Sequence, residues 1–331
     1  MMKSRRTRRD LIALLGGAAA WPLAARAQQV TLPLIGFLNG FTLAEWASPV
    51  AGFHKGLSET GYVAGRNVAI EYRWAENHFD RLQALAAELV SRHVAVLVAT
   101  GGSATAFAAK AATATIPIVF GIGTDPFKTG LITRLNRPID NATGVYFLTG
   151  ELEVKRLGLL RELVPKGALI AVLLNAGNLN TATLSKELEV AAQTLGQPIH
   201  ILHASDEAEI DAAFASFSRL HAAALLVGAD PFYLTRRDHI VALAARYAIP
   251  TIYHQREFAT AGGLITYGTS LIDAMRQVGV WTGRILKGEK PADLPVVQST
   301  RFEMVINLKT AKALGLTVPS TLLGFADEVI E

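Results

Sequence analysis

Cysteine is absent from the 331 residues. Its absence excludes disulfides, thiolate metal sites, a cysteine nucleophile and a lipid anchor on a cysteine behind an export signal. Three common chemical signatures are missing as well. Gly121-Ile122-Gly123 runs into Thr124-Asp125-Pro126, so a dinucleotide fingerprint lacks its third glycine and meets a proline where its helix should continue. No Gly-Lys-Ser/Thr loop and no Gly-x-Ser-x-Gly elbow occurs, which leaves no Walker site and no strained serine nucleophile. Long apolar runs are lacking beyond the N-terminal region, so no membrane helix is expected in the remainder.

The N-terminal region reads as a leader. Arg5-Arg6-Thr7-Arg8-Arg9 is a basic stretch, Leu11–Ala25 is apolar, and Ala25-Arg26-Ala27 fits a small-x-small cleavage site. Arg8-Arg9-Asp10-Leu11-Ile12 resembles a twin-arginine signal; the general secretory route is the alternative. Residues 1–27 are therefore expected to be an export signal, and the product to be periplasmic. The formal net charge of +4 belongs to that leader. Without its six Lys/Arg and one Asp the chain keeps 26 basic and 27 acidic residues, a net of −1. No basic face remains for nucleic acid. A cysteine-free exported protein depends on a large core, which the remaining length can supply.

What is present is strand–helix alternation. Val94–Ala99 is an unbroken apolar run, as suits a strand buried on both faces. Thr100-Gly101-Gly102-Ser103 follows and opens an alanine-rich helix, whose free N–H groups and dipole favour an anion. The alternative is a tight turn with Ser103 as a plain N-cap. Apolar spacing predicts helices through Trp46–Leu57, Leu82–Leu89, Leu157–Val164, Leu184–Leu195, Ile240–Tyr247 and Leu271–Leu286. Strands are expected at Leu32–Leu38, Asn67–Trp74, Gly144–Phe147, Leu169–Leu174, Ile199–His203 and Ala224–Val227. The polar stretch Asn136–Asn141 is taken as the first passage between lobes, and Phe302–Glu331 as a strand, a short helix from about Asn307 and a polar tail.

Ile116-Pro117-Ile118-Val119-Phe120 recurs as Ile249-Pro250-Thr251-Ile252-Tyr253, each after an alanine-rich helix, and Gly130–Thr133 recurs as Gly263–Thr266. The pattern predicts an α/β protein of two Rossmann-like lobes with parallel sheets, joined by several hinge crossings that permit closure on a ligand. The expected division is 30–147 plus about 270–300 for lobe 1 and 148–269 for lobe 2. Residues 301–331 are expected to pack back across both.

Polar residues expected at strand C-termini are Asn39, Ser103, Asp125, Asn175, Asp230 and Tyr253; singly each suits a turn or cap. Together they converge on one interlobe cleft, where open α/β sheets bind small ligands. Phe41, Phe232 and Tyr253 are candidate wall residues. The eight histidines are scattered and give no metal spacing; His254 stands out because it directly follows a strand. No nucleophile–base pair, cofactor or metal is expected.

The C-terminal run from Phe302-Glu303-Met304-Val305-Ile306-Asn307 through Pro319 to Ala326-Asp327-Glu328-Val329-Ile330 is similar to the ending of the ABC-transporter substrate-binding proteins that include the tryptophan- and aromatic-amino-acid-binding group. Asp125-Pro126 with Gly130-Leu131 resembles that family's Asp-Pro-x-x-x-Gly-Leu segment. The resemblance implies a type I periplasmic-binding-protein fold, a monomeric exported receptor, and an ABC permease with its ATPase as partners. It also implies ligand contact at Gly102, Ser103 and Asp125, where a helix N-terminus suits a carboxylate and Asp125 an ammonium. Ser103-Ala104-Thr105 departs from the Thr-Pro-Ala usual in members with aromatic ligands. The expected ligand is amino-acid-like or a carboxylate. A sensing accessory protein for a signalling partner, or an exported enzyme on the same fold, are the alternatives.

Overall fold

The computed structural model describes residues 32–135, 141–147, 151–178 and 181–331. The expected leader lies outside them, as does most of the Asn136–Asn141 stretch. The chain first lays down β1 (Leu34–Asn39), α1 (Leu43–Glu59), β2 (Ala69–Trp74), α2 (Leu82–Ser91) and β3 (Val96–Thr100). It continues with α3 (Ser103–Ala112), β4 (Ile118–Ile122) and β5 (Ala142–Tyr146). The grammar then restarts with α4 (Glu151–Leu160), β6 (Ile170–Leu174), α5 (Thr181–Leu195), β7 (Ile199–His203), α6 (Glu207–Ala215) and α7 (Phe217–Leu220). After these come β8 (Ala224–Val227), α8 (Pro231–Thr235), α9 (Arg237–Arg246), β9 (Thr251–Tyr253), α10 (Arg256–Thr260) and β10 (Ile265–Thr269). The last elements are α11 (Leu271–Leu286), β11 (Val297–Gln298), β12 (Phe302–Asn307), α12 (Leu308–Ala313), α13 (Ser320–Phe325) and β13 (Glu328–Ile330).

Two sheets result. One has the order β11-β5-β4-β3-β1-β2 and is parallel throughout. The other runs β13-β12-β10-β9-β8-β6-β7, with β12 antiparallel to β10 and the remaining pairs parallel. Counted from its own first strand, each sheet begins 2-1-3-4-5, the doubly wound order. The Ile-Pro echo marks this equivalence, since Ile116-Pro117 and Ile249-Pro250 each lead into a fourth strand, β4 and β9. The second echo has no such meaning: Leu264–Thr266 enters β10, whereas Leu131–Thr133 is irregular.

β3, β4, β6 and β8 are buried along their whole length, because helices cover both faces of a parallel sheet. α11 leaves the second sheet at Ser270 and lies against α1 of the first. Gly52 and Gly56 of α1 face the Ile272 and Arg276 carbonyls, and Gly279 of α11 faces the Phe53 carbonyl, with no room for a Cβ. Pro33–Glu331 forms one compact unit.

Three expectations need correction. The chain leaves the first sheet after β5 and not at Asn136–Asn141, because β5 pairs with β4 from Ile118↔Ala142 to Ile122↔Tyr146. The expected polar tail contains α13 and β13. The C-terminal segment adds β12 and β13 to the second sheet, since the β-rich run Phe302–Asn307 finds an open edge at β10.

Candidate functional site

The order reversal in each sheet falls between strands 1 and 3, and a side-chain hydrogen bond spans each reversal. In the first sheet Asn39, fully buried at the end of β1, donates from Nδ2 to Thr100 Oγ1 at 2.9 Å. Its Oδ1 accepts from the Phe41 N–H at 2.8 Å. In the second, Asn175 Nδ2 donates to Asp230 Oδ1 at 3.0 Å. Asp230 also accepts from the Phe232 N–H and from Asn178 Nδ2, both at 2.8 Å. These residues fix the turns that carry the cleft.

Between the turns lies a cavity of about 730 Å³ with walls from both sheets' strand ends. Gly102, Ser103 and Ala104 bring the N-terminus of α3 to it. Its N-cap, Gly102, has no side chain with which to cap it and takes a φ of 121°, open to a glycine and costly to other residues. Ser103 Oγ is tied to Thr124 Oγ1 at 2.7 Å, which docks the helix start on the turn after β4.

An aromatic wall of Phe41, Trp46, Phe79, Phe107 and Phe147 lines the same cavity, with Phe107 coming from α3 itself. Phe41 stacks on Trp46 with centroids 4.9 Å apart, and Phe79 meets Phe41 edge-on at 6.1 Å. The Thr42 capping box, with Glu45 accepting from the Thr42 N–H at 2.9 Å, starts α1 where Trp46 can reach the wall. The second lobe supplies Asp230, Leu234, His254 and Gln255. Trp46, His254 and Gln255 are each at most 6% exposed, and Trp46 Nε1, His254 Nδ1 and Gln255 Oε1 have no partner among the described residues.

A smaller adjoining space of about 340 Å³ shares Thr124, Lys128, Asn178 and Asp230 with the cavity and adds Asp125, Glu153 and Asn175. Glu153 and Arg156 are a buried pair at 2.7 Å in α4. Glu153 Oε1 accepts from the Ala229 N–H at 2.6 Å, and Arg156 donates to the Tyr267 carbonyl at 2.8 Å. The pair thereby pins the turn after β8 to β10. Removing water from the His254 imidazole, and then the nearby Arg156 charge, hold its pKa well below the ordinary 6.5.

The residues singled out from sequence divide accordingly. Gly102, Ser103 and Asp230 line the large cavity; Asp125, Asn175 and Asp230 line the smaller one. Asp125 spends Oδ1 on the Phe127 and Lys128 N–H groups at 2.8 and 3.2 Å. Asn39 and Tyr253 line neither. Tyr253 is 1% exposed and stacks on Phe258 at 4.6 Å, because the strand alternation that turns it inward sends His254 to the cleft. Of the three wall candidates only Phe41 lines the cavity; Phe232 sits beneath the Arg236 guanidinium instead. Trp46, Phe79, Phe107, Phe147 and Gln255 were not singled out. Phe107 had a signal, one turn beyond Ser103 on the same helix face. Among the described residues no cluster of His, Cys, Asp or Glu could hold a metal, and no helix is long and apolar enough to cross a membrane.

Known proteins resemble the chain over most of its length. A tyrosine-binding protein of Clostridioides difficile (strain R20291) is 27% identical over 267 residues, covering 80% of this chain and 76% of its own. The structure of an ABC domain in complex with L-Trp from Streptococcus pneumonia superposes with a TM-score of 0.80 at 24% identity, over 91% of this chain and 100% of that one. A ligand-free, open substrate-binding protein with adhesive properties from Clostridium difficile gives 0.71 at 25% identity, over 90% and 99%. The fold is that of the type I periplasmic binding proteins. Residues 44–330 match the ABC transporter substrate binding protein family, and the chain belongs to it.

Proposed function

We propose that this protein is the extracytoplasmic solute-binding component of an ABC importer, that it captures an aromatic amino acid in the interlobe cavity, and that it delivers it as a monomer to a permease driven by an ATPase. The observation that carries this reading is the pairing of a glycine-capped helix N-terminus with five aromatic side chains in one cavity. Amide N–H groups at Gly102, Ser103 and Ala104 suit the ligand carboxylate. The rings of Phe41, Trp46, Phe79, Phe107 and Phe147 suit its aromatic side chain. Asp230, and Asp125 from the adjoining space, supply negative charge toward the ammonium. Asn39, Asn175 and Tyr253 shape the surrounding turns and core. The tyrosine-binding relative and the L-Trp-bound structure support the ligand class.

Ala104→Asp tests the assignment without weakening the fold. A carboxylate in the first turn of α3 favours the helix dipole by about 0.3–1 kcal/mol while repelling a ligand carboxylate from the same amides. In a thermal-shift panel of amino acids and sugars, the parent protein is expected to be stabilised by Tyr or Trp, and Ala104→Asp to keep its own melting temperature but lose that shift. A retained shift in the variant, or stabilisation of the parent by sugars alone, contradicts the reading.

A further inference from the structure

The helix terminus and the aromatic wall account for an amino acid's carboxylate and ring carbon atoms. Three side chains that line the cavity each carry a buried polar atom with no partner among the described residues: Trp46 Nε1 from α1, and His254 Nδ1 and Gln255 Oε1 from the turn after β9. Each side chain is at least nine-tenths buried, at 5%, 5% and 6% exposure. A buried polar atom without a partner costs about 1–3 kcal/mol, so three on one cavity point to a bound group that satisfies them.

Their chemistry defines that group. The indole N–H only donates; the Gln255 amide offers an acceptor, and a donor when it turns over. His254 is uncharged at neutral pH, because burial and the Arg156 charge both oppose its protonation, and a neutral imidazole can present either face. None of the three is an ion, so the set is ill-suited to anchor an ammonium or a carboxylate by charge. The Trp46 ring is itself part of the aromatic wall, stacked on Phe41 at 4.9 Å.

We propose that Trp46, His254 and Gln255 form a neutral polar subsite that reads a hydrogen-bonding group on the ligand's ring, selecting a phenol or an indole over a plain phenyl. This rests on the aromatic amino-acid reading above. A site built to hydrogen-bond a ring substituent discriminates strongly against the analogue without it, since its own polar groups are then left unpaired.

The test is calorimetric titration of the purified protein with L-tyrosine, L-tryptophan and L-phenylalanine, which needs no substitution. Tyrosine or tryptophan is expected to bind at least about tenfold more tightly than phenylalanine. His254→Phe and Gln255→Leu, checked for folding by circular dichroism, are expected to bring that ratio below about threefold, chiefly by weakening the polar-ring ligand. Equal binding of all three ligands by the parent overturns the subsite. So does a ratio that survives both substitutions while every affinity falls together, which would place the trio at the amino-acid end. No binding of any of the three overturns the aromatic reading itself, a result distinct from binding without discrimination.

Discussion

Asp230 shows how a single side chain can serve both architecture and charge. Its carboxylate holds Asn175, Asn178 and the first turn of α8 while still facing the cavity. Glu153 and Arg156 act similarly from below, tying the turn after β8 to β10 through a pair with side chains 0% and 1% exposed. His254 is the histidine of the site. Its folded pKa is depressed below 6.5, so the unfolded chain takes up its proton first as pH falls. The residue therefore costs no stability above 6.5 and progressively more from there down to its folded pKa. In thermal melts, His254→Phe is expected to gain on the parent protein as pH drops from 7 to 5. His54, shifted in the same direction by burial, is present in both and cancels in the comparison. A difference that stays flat, or moves against the variant, contradicts a buried neutral imidazole.

At the scale of elements, the α1–α11 contact decides how the cleft is framed, since α1 carries Trp46 and α11 begins at Leu271 on the cavity. A Cβ at Gly56 would overlap the Arg276 carbonyl oxygen. Backbone cannot swing aside as a side chain can, so the helices must separate. Gly56→Ala is expected to cost about 1–3 kcal/mol in a denaturant titration, against a helix-propensity gain of about 1 kcal/mol that an exposed glycine would show. A stabilised variant contradicts that packing. Both helices were legible in sequence because Trp46, Val50, Phe53 and Leu57, and then Met275, Val278 and Ile285, repeat at helical spacing over several turns. α8 and α13 were not, since helices of five and six residues carry too little periodicity. Tyr253 faces the core while His254, one position on, lines the cavity. In a three-residue strand only the surrounding packing reveals which face is the cleft.

At the scale of the whole molecule, the repeated strand order and the two equivalent reversal points are what the Ile-Pro echo and the alternating strands and helices announce. The polar half of the cavity was partly readable too, because Gly102, Ser103 and Asp230 sit in turns next to strands. Of its aromatic half only Phe41 was. Phe41 with Trp46, Phe79, Phe107 and Phe147 come from four separate segments, and no local pattern states that folding will gather them. The proposed binding mode depends on that gathering, with a ligand ring buried against the wall while its carboxylate meets α3. Burial of apolar surface gives a negative heat-capacity change. The direct measurement is titration calorimetry with L-tryptophan and L-tyrosine at several temperatures. One ligand per chain, with binding enthalpy growing more negative on warming, is the predicted result; no saturable heat from either amino acid, or an enthalpy that does not change with temperature, would contradict it.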